Sequence, residues 1–103
     1  MKHDTTQTFE KSTALRKMAD VCRSLEAMDV PVIRADLDHN GEMFIQVYGY
    51  KPLWDWAKLH ELPVLTEPWD YSDSTYTHQT TVALDGVIVG ALMDKKAVEE
   101  AGI

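Results

Sequence analysis

Two short turn signals, Asn40-Gly41 and Asp85-Gly86, each stand between runs of alternating apolar residues. Such a pattern folds locally into hairpins, because glycine supplies the positive φ that a tight reversal needs. Parity decides the form of the first turn. Ile33, Ala35 and Leu37 fall on one face of a first strand, and Met43, Ile45 and Val47 on one face of a second. A two-residue Asn40-Gly41 turn puts these two sets on opposite faces. A three-residue loop, His39-Asn40-Gly41, pairs Leu37 with Met43, Ala35 with Ile45 and Ile33 with Val47, so all six share one face. Arg34, Asp36, Phe44, Gln46 and Tyr48 then line the other. The second hairpin, residues 75–84 and 87–93, pairs Leu84 with Val87 and Val82 with Val89 around Asp85-Gly86. One of its faces carries Val82, Leu84, Val87, Val89, Ala91 and Met93; the opposite face carries Ala83, Ile88 and Leu92. Strands apolar on both sides are central in a sheet or covered by a partner.

Helical periodicity fills the rest. Residues 8–29 repeat Leu15, Met18, Cys22 and Leu25 at spacings of three and four, widened by Ala14, Val21 and Met28, and Pro31 stops the pattern. Residues 52–62 form a second helix, with Pro52 in its first turn, Pro63 beyond its end, and Leu53, Trp56, Ala57 and His60 on one side. Val64 to Thr66 reads as a short strand and Pro68 to Ser74 as a loop. Asp94 caps a last helix, Lys95 to Ala101, with Gly102 past its end. Residues 1–7 are polar and expected to be disordered. The order α-β-β-α-(β)-β-β-α predicts a single α+β domain over residues 1–103. Its expected sheet is antiparallel, with four to five strands built from two hairpins and helices packed on one face.

At 103 residues the chain has room for one core. A net charge of -7 argues against direct nucleic-acid binding, which needs a basic face. The acidic excess is concentrated in residues 30–73, where Arg34, Lys51 and Lys58 face eight acids. Cys22 is the only cysteine, so no intramolecular disulfide forms. The N-terminal MKHDTTQTFEKST has no apolar stretch, and the longest apolar run is Val87 to Met93, so neither a signal peptide nor a membrane span is expected. A cytoplasmic location is the expectation.

No catalytic motif survives inspection, and neither an enzyme nor a cofactor is expected. Asp36-Leu37-Asp38-His39-Asn40-Gly41 begins like a calcium loop, but the ninth position is Phe44 and the twelfth, which should supply a bidentate carboxylate, is Val47. The histidines 3, 39, 60 and 78 lack zinc-motif spacing, so no metal site is assigned. Cys22 falls in an apolar stripe and reads as core rather than nucleophile. The most unusual segment is Glu67-Pro68-Trp69-Asp70-Tyr71-Ser72-Asp73, which sets two large aromatics among three acids. Trp and Tyr are favoured interface anchors. Glu67, Trp69, Asp70, Tyr71 and Asp73 are therefore the expected partner-binding residues, with Trp54, Tyr48 and Tyr50 extending the aromatic patch. The competing reading is that Trp69 and Tyr71 close over the sheet edge as part of the core. Ile88 and Leu92, on the second apolar face of the closing hairpin, are the expected self-association residues of a homodimer.

The run Leu15-Arg16-Lys17-Met18-Ala19-Asp20, continuing to Leu25-Glu26 and Val30-Pro31-Val32, resembles the start of small uncharacterised proteins of actinobacteria and their phages. In those an amphipathic helix runs into a proline-marked turn, a strand, a second helix and a closing hairpin. The resemblance spans about residues 14–93 and implies a phage or mobile-element origin; it carries no functional residue across. The expectation is a small acidic, non-catalytic protein-binding module that blocks or redirects another protein. Mimicry of nucleic acid is one form that such inhibition takes. The alternative is a small-ligand or metal-responsive module with aromatics lining a pocket.

Overall fold

The computed structural model describes residues 10–69 and 75–103; the expected disorder of residues 1–7 falls outside them. The elements run α1 (Lys11–Ala27), β1 (Val32–Leu37), β2 (Met43–Val47), α2 (Tyr50–Leu59), β3 (Leu65–Pro68), β4 (Tyr76–Leu84), β5 (Val87–Asp94) and α3 (Lys95–Ala101). The five strands form one sheet in the order β1-β2-β5-β4-β3. The architecture is α+β, as expected, but the sheet is mixed rather than antiparallel. The two hairpins meet through β2 and β5, which run parallel with Ile45 opposite Val89. Each hairpin satisfies only its own inner ladder, so the free edges of β2 and β5 pair with each other. This makes β5 the central strand, which accounts for its apolar residues on both faces.

The first turn has the three-residue form. Asp38 N–H donates to Glu42 O at 3.0 Å, Gly41 N–H donates to Asp38 O at 3.1 Å, and Gly41 has φ 85°. Leu37 pairs with Met43 and Ala35 with Ile45. Beyond that the expected register slips: Val32, not Ile33, opposes Val47, because a bulge falls between Val32 and Arg34. Ile33 is pushed outward and is exposed. The second turn puts Asp85 at φ 54° and Gly86 at φ 81°, the doubly left-handed pair of a type I′ hairpin, and Val82 pairs with Val89 and Leu84 with Val87.

All three helices end in the same way. A residue turns left-handed, and the next N–H reaches back five residues: Val30 to Leu25 O, Leu62 to Ala57 O, Ile103 to Val98 O. The left-handed residues are Asp29 (φ 58°), Glu61 (φ 56°) and Gly102 (φ 78°). The first two helices are thus closed by this motif just ahead of Pro31 and Pro63. At the other end, α2 begins at Tyr50, two residues before Pro52. Proline is tolerated there because first-turn N–H groups have no intrahelical acceptor. Asp94 Oδ1 accepts from Ala97 N–H at 2.8 Å and caps α3.

The core lies between α1, α2 and one face of the sheet. Met18, Val21 and Leu25 of α1 and Leu53, Trp56 and Ala57 of α2 pack with Ile45, Val47, Val82, Val87, Val89 and Ala91. The buried stripe of α1 is Ala14, Met18, Val21 and Leu25. It is turned about one position from the expected stripe: Leu15 is exposed and Cys22 only half-buried. Polar pairs tie the layers together. Trp56 Nε1–H donates to Ser24 Oγ at 2.9 Å, joining α2 to α1, and Trp54 Nε1–H donates to Thr80 Oγ1 at 2.9 Å, joining α2 to β4. Tyr50 O–H donates to Glu100 Oε1 at 2.8 Å, holding α3 against the start of α2. Among the described residues no helix is long and apolar enough to cross a membrane.

Candidate functional site

The face of the sheet turned away from these helices has its own residues, and the register arranges them in rows. Asp36, Phe44, Ile88 and Ala83 form one row across β1, β2, β5 and β4. Arg34, Gln46, Gly90, Thr81 and Leu65 form the next, reaching β3. Leu92, Gln79 and Glu67 follow. Neither α1 nor α2, which pack on the other face, covers these rows, and α3 borders them at one end, where Ala97 lines a cleft with Gln46 and Leu92. Ile88 is 38% exposed and Leu65 55%.

Trp69 joins this surface. Its N–H donates to Thr77 O at 2.8 Å, which carries the β3–β4 ladder one residue past Pro68. Two residues beyond Glu67, it falls on the same side. Its side chain is half-buried and lines a hollow of about 260 Å³ with Arg34, Phe44, Gln46, Gln79, Gly90 and Leu92. Glu67 and Trp69, expected to bind a partner, and Ile88 and Leu92, expected to self-associate, thus lie on one face rather than on two separate surfaces. Asp70, Tyr71 and Asp73 lie outside the described residues. Gly90 keeps the middle of the face low. A Cβ there would stand 3.0 Å from Phe44 Cζ, so the Phe44 ring lies down over the glycine. Sequence alternation had put Phe44, Gln46 and Arg34 on this side of the first hairpin. Their neighbours Gly90 and Gln79 were missed, since only the β2–β5 pairing brings them together.

The rest of the expected aromatic patch does not gather here. Tyr50 is buried and packs edge-on to Trp54 at 5.0 Å between ring centroids, and both are bonded on the helix side. Burial and the bond to the Glu100 carboxylate push the Tyr50 phenol up; the same bond and Lys51 hold Glu100 below the usual carboxylate range. Tyr48 is exposed at the end of β2. It lines a cleft of about 210 Å³ with Tyr50, Tyr76, Gln46 and Asp94.

The calcium-like segment is occupied by its own turn. Asp38 Oδ1 accepts from the N–H groups of Asn40 and Glu42, at 2.9 Å each. These donors, that of Glu42 foremost, hold the Asp38 carboxyl below its ordinary range. Asp36 pairs with Arg34 at 3.0 Å. Among the described residues no three His, Cys, Asp or Glu side chains gather to hold a metal ion. Burial, and then the charge of Glu26, push the Cys22 thiol up, the opposite of the lowered value that activates a nucleophilic cysteine.

The site is therefore a charge-poor, partly apolar sheet surface with one tryptophan at its rim. It can bury area against another surface, and among the described residues it lays out no acid, base and nucleophile in contact. No protein-family model, curated protein or solved structure matches the chain.

Proposed function

We propose that this chain is a non-catalytic protein-binding module that works through the open face of its sheet, with Trp69 as an anchor. The observation that carries this reading is the convergence of Trp69, Phe44, Ile88 and Leu92 on the face opposite α1 and α2. Contiguous exposed apolar surface marks interaction sites, and tryptophan buries the most area per rotor at them. The partner is another protein. A phage or mobile-element accessory protein that blocks or redirects a host factor fits a small acidic chain of this kind. Mimicry of a phosphate backbone is not part of the proposal, because the register places only three described acids on this face: Asp36, Glu67 and, at its end, Asp94.

The test is affinity capture from lysate on immobilised wild type, Leu92→Lys and Trp69→Ala, read by mass spectrometry. One protein retained stoichiometrically by the wild type and lost by Leu92→Lys supports the reading. Equal retention by all three overturns it.

The cleft beside Tyr48, Tyr50 and Tyr76 favours a second reading, a small-ligand module. Its volume of about 210 Å³ falls below the roughly 300–1,000 Å³ of ordinary ligand sites, so only a small molecule fits. A ligand that raises the melting temperature in a screen, with the gain lost in Tyr48→Ala, would favour this reading.

A further inference from the structure

Tyr48-Gly49-Tyr50 stands where β2 ends and α2 begins. Gly49, at φ 92°, turns the chain there in a conformation that side chains disfavour. Both tyrosines line the cleft of about 210 Å³, which Tyr76 and Asp94 complete from β4 and β5. Continuing the β2–β5 register sets Tyr48 level with Leu92, and Tyr76 opposes Asp94. Tyr48 and Tyr76 thus flank β5, two strand spacings apart and offset by one two-residue step, roughly 12 Å between α-carbons. A group seated over β5 between them is within reach of both rings.

We propose that this cleft binds a quaternary or methylated ammonium group, held by the tyrosine rings with Asp94 as its counter-charge. The inference rests on the reading of the cleft as a small-ligand site and names the class of ligand.

Three observations select such a cation. The first is the charge of the lining. Among the described residues Asp94 is the one charged side chain in it, and no lysine or arginine joins it. Lys51, next in the chain to Tyr50, is engaged with Glu100 at 3.4 Å, and Lys95 and Lys96 are exposed outside the cleft. An anion would meet a carboxylate with nothing to pair with, and a neutral apolar ligand would desolvate that carboxylate at a cost. Asp94 Oδ1 accepts from Ala97 N–H at 2.8 Å, which fixes the group in place. The second is the aromatic content. A methylated ammonium has few or no N–H donors, so the negative faces of aromatic rings hold it where hydrogen bonds cannot. Tyr50 is already immobilised for this: it is buried, edge-on to Trp54, and donates its O–H to Glu100 Oε1 at 2.8 Å. Donation to a carboxylate pushes electron density into the ring and strengthens its attraction for a cation. The third is access. Tyr48 is 70% exposed and Tyr76 40%, so an arriving group meets them without prior opening, and a net charge of -7 draws cations to the chain.

Amide NMR titration of the isotope-labelled chain at constant ionic strength tests this. The probes are choline, tetramethylammonium, trimethyllysine amide and the uncharged carbon isostere of choline. Choline and tetramethylammonium are expected to bind in the low-millimolar range or tighter, shifting the amides of Tyr48, Gly49 and Ala97, and the isostere at least about 10-fold more weakly. Trimethyllysine amide ahead of choline would mark a modified side chain as the source of the group, and the reverse order a free small molecule. Tyr48→Leu should weaken choline about 5- to 30-fold, and Tyr48→Phe, which keeps the ring, less than about 2-fold. Asp94→Asn, whose amide oxygen still caps α3, should weaken it at least about 5-fold. Both positions are exposed, and circular dichroism checks that each variant is folded. No shift with any of the three cations at about 50 mM overturns the proposal, as does an isostere bound as tightly as choline or an affinity indifferent to Tyr48→Leu. If the cations fail while another molecule stabilises the chain through Tyr48, the cleft is a ligand site and the class is wrong; if no molecule does, the small-ligand reading falls with it.

Discussion

Phe44 and Gly90, on the parallel neighbours β2 and β5, fit each other by the absence of a side chain: the ring of one occupies the space above the α-carbon of the other. An added Cβ would meet Phe44 Cζ at 3.0 Å and Cε1 at 3.1 Å. The ring is half-buried on the open face and has room to tilt toward solvent. Relief of the strand-glycine penalty, about 0.5–1 kcal/mol, should offset that tilt, so Gly90→Ala is expected to change stability by less than about 0.5 kcal/mol. Gly90→Val should overpack the site and cost about 1–3 kcal/mol. Phe44→Leu should recover part of that loss in a double-mutant cycle followed by urea unfolding.

Thr80 is fully buried on the helix side of β4 and accepts from Trp54 Nε1–H and, at 3.2 Å, from the Thr66 hydroxyl. Thr80→Val keeps the shape but leaves these donors unmatched, for an expected loss of about 1–3 kcal/mol. Thr80→Ser retains the acceptor and should cost less. Denaturant midpoints that rank serine below valine would contradict the assignment.

Glu61 closes α2 in the left-handed region, where its Cβ is strained. Glycine relieves that strain at an entropic cost of about 0.5–1 kcal/mol in the unfolded chain. Glu61→Gly is expected to raise stability by about 0.5–1 kcal/mol net. Asp29→Gly, at the equivalent end of α1, should gain less, because Asp tolerates this conformation better. Thermal melts of both variants beside the wild type check the ranking.

The three-residue loop places Gly41 at positive φ. Gly41→Val is expected to cost about 1–2 kcal/mol and Gly41→Asn less, since Asn visits this region readily. Equal stability of the two variants in urea would contradict the turn.

Acid should loosen this same hairpin tip. The Asp38 carboxyl titrates below its ordinary value in the folded chain, chiefly through the Glu42 N–H. Its ionised form therefore favours the fold. That contribution is complete above the ordinary aspartate value of about 3.9 and is lost as pH falls through the lowered folded value. The difference in urea midpoint between wild type and Asp38→Asn should thus shrink between pH 6 and pH 2. A difference that stays constant would show that the carboxylate does not stabilise the turn.

What could be read before folding follows from how far each interaction reaches along the chain. Leu37–Met43 and Val82–Val89 are set by parity across a turn, which is local, and both pairings are observed. The bulge that turns Ile33 outward leaves no mark in the alternation, since a one-residue insertion in a strand end looks like its continuation. The contact of Ile45 with Val89 joins segments with two elements and most of a hairpin between them, so no periodicity announces it. The site was legible in halves for the same reason: Trp69 by composition, Ile88 and Leu92 by alternation. Only the parallel seam puts Phe44 between them. Leu15 and Cys22 show the opposite failing. Their spacing is helical, but the sheet selects which neighbouring stripe of α1 is buried.

The parallel seam also imposes an order of assembly. β5 occupies the middle of the sheet yet follows β1 to β4 in the chain, so during synthesis the β1–β2 hairpin and β4 have no common scaffold until it emerges. Its ladders join it to one neighbour next door in sequence and to one strand some forty residues back. Long-range parallel pairing slows folding, and the waiting edge of β2 is open to pairing with other chains meanwhile. The growing chain is thus most vulnerable to mispairing in the interval between completion of β2 and arrival of β5.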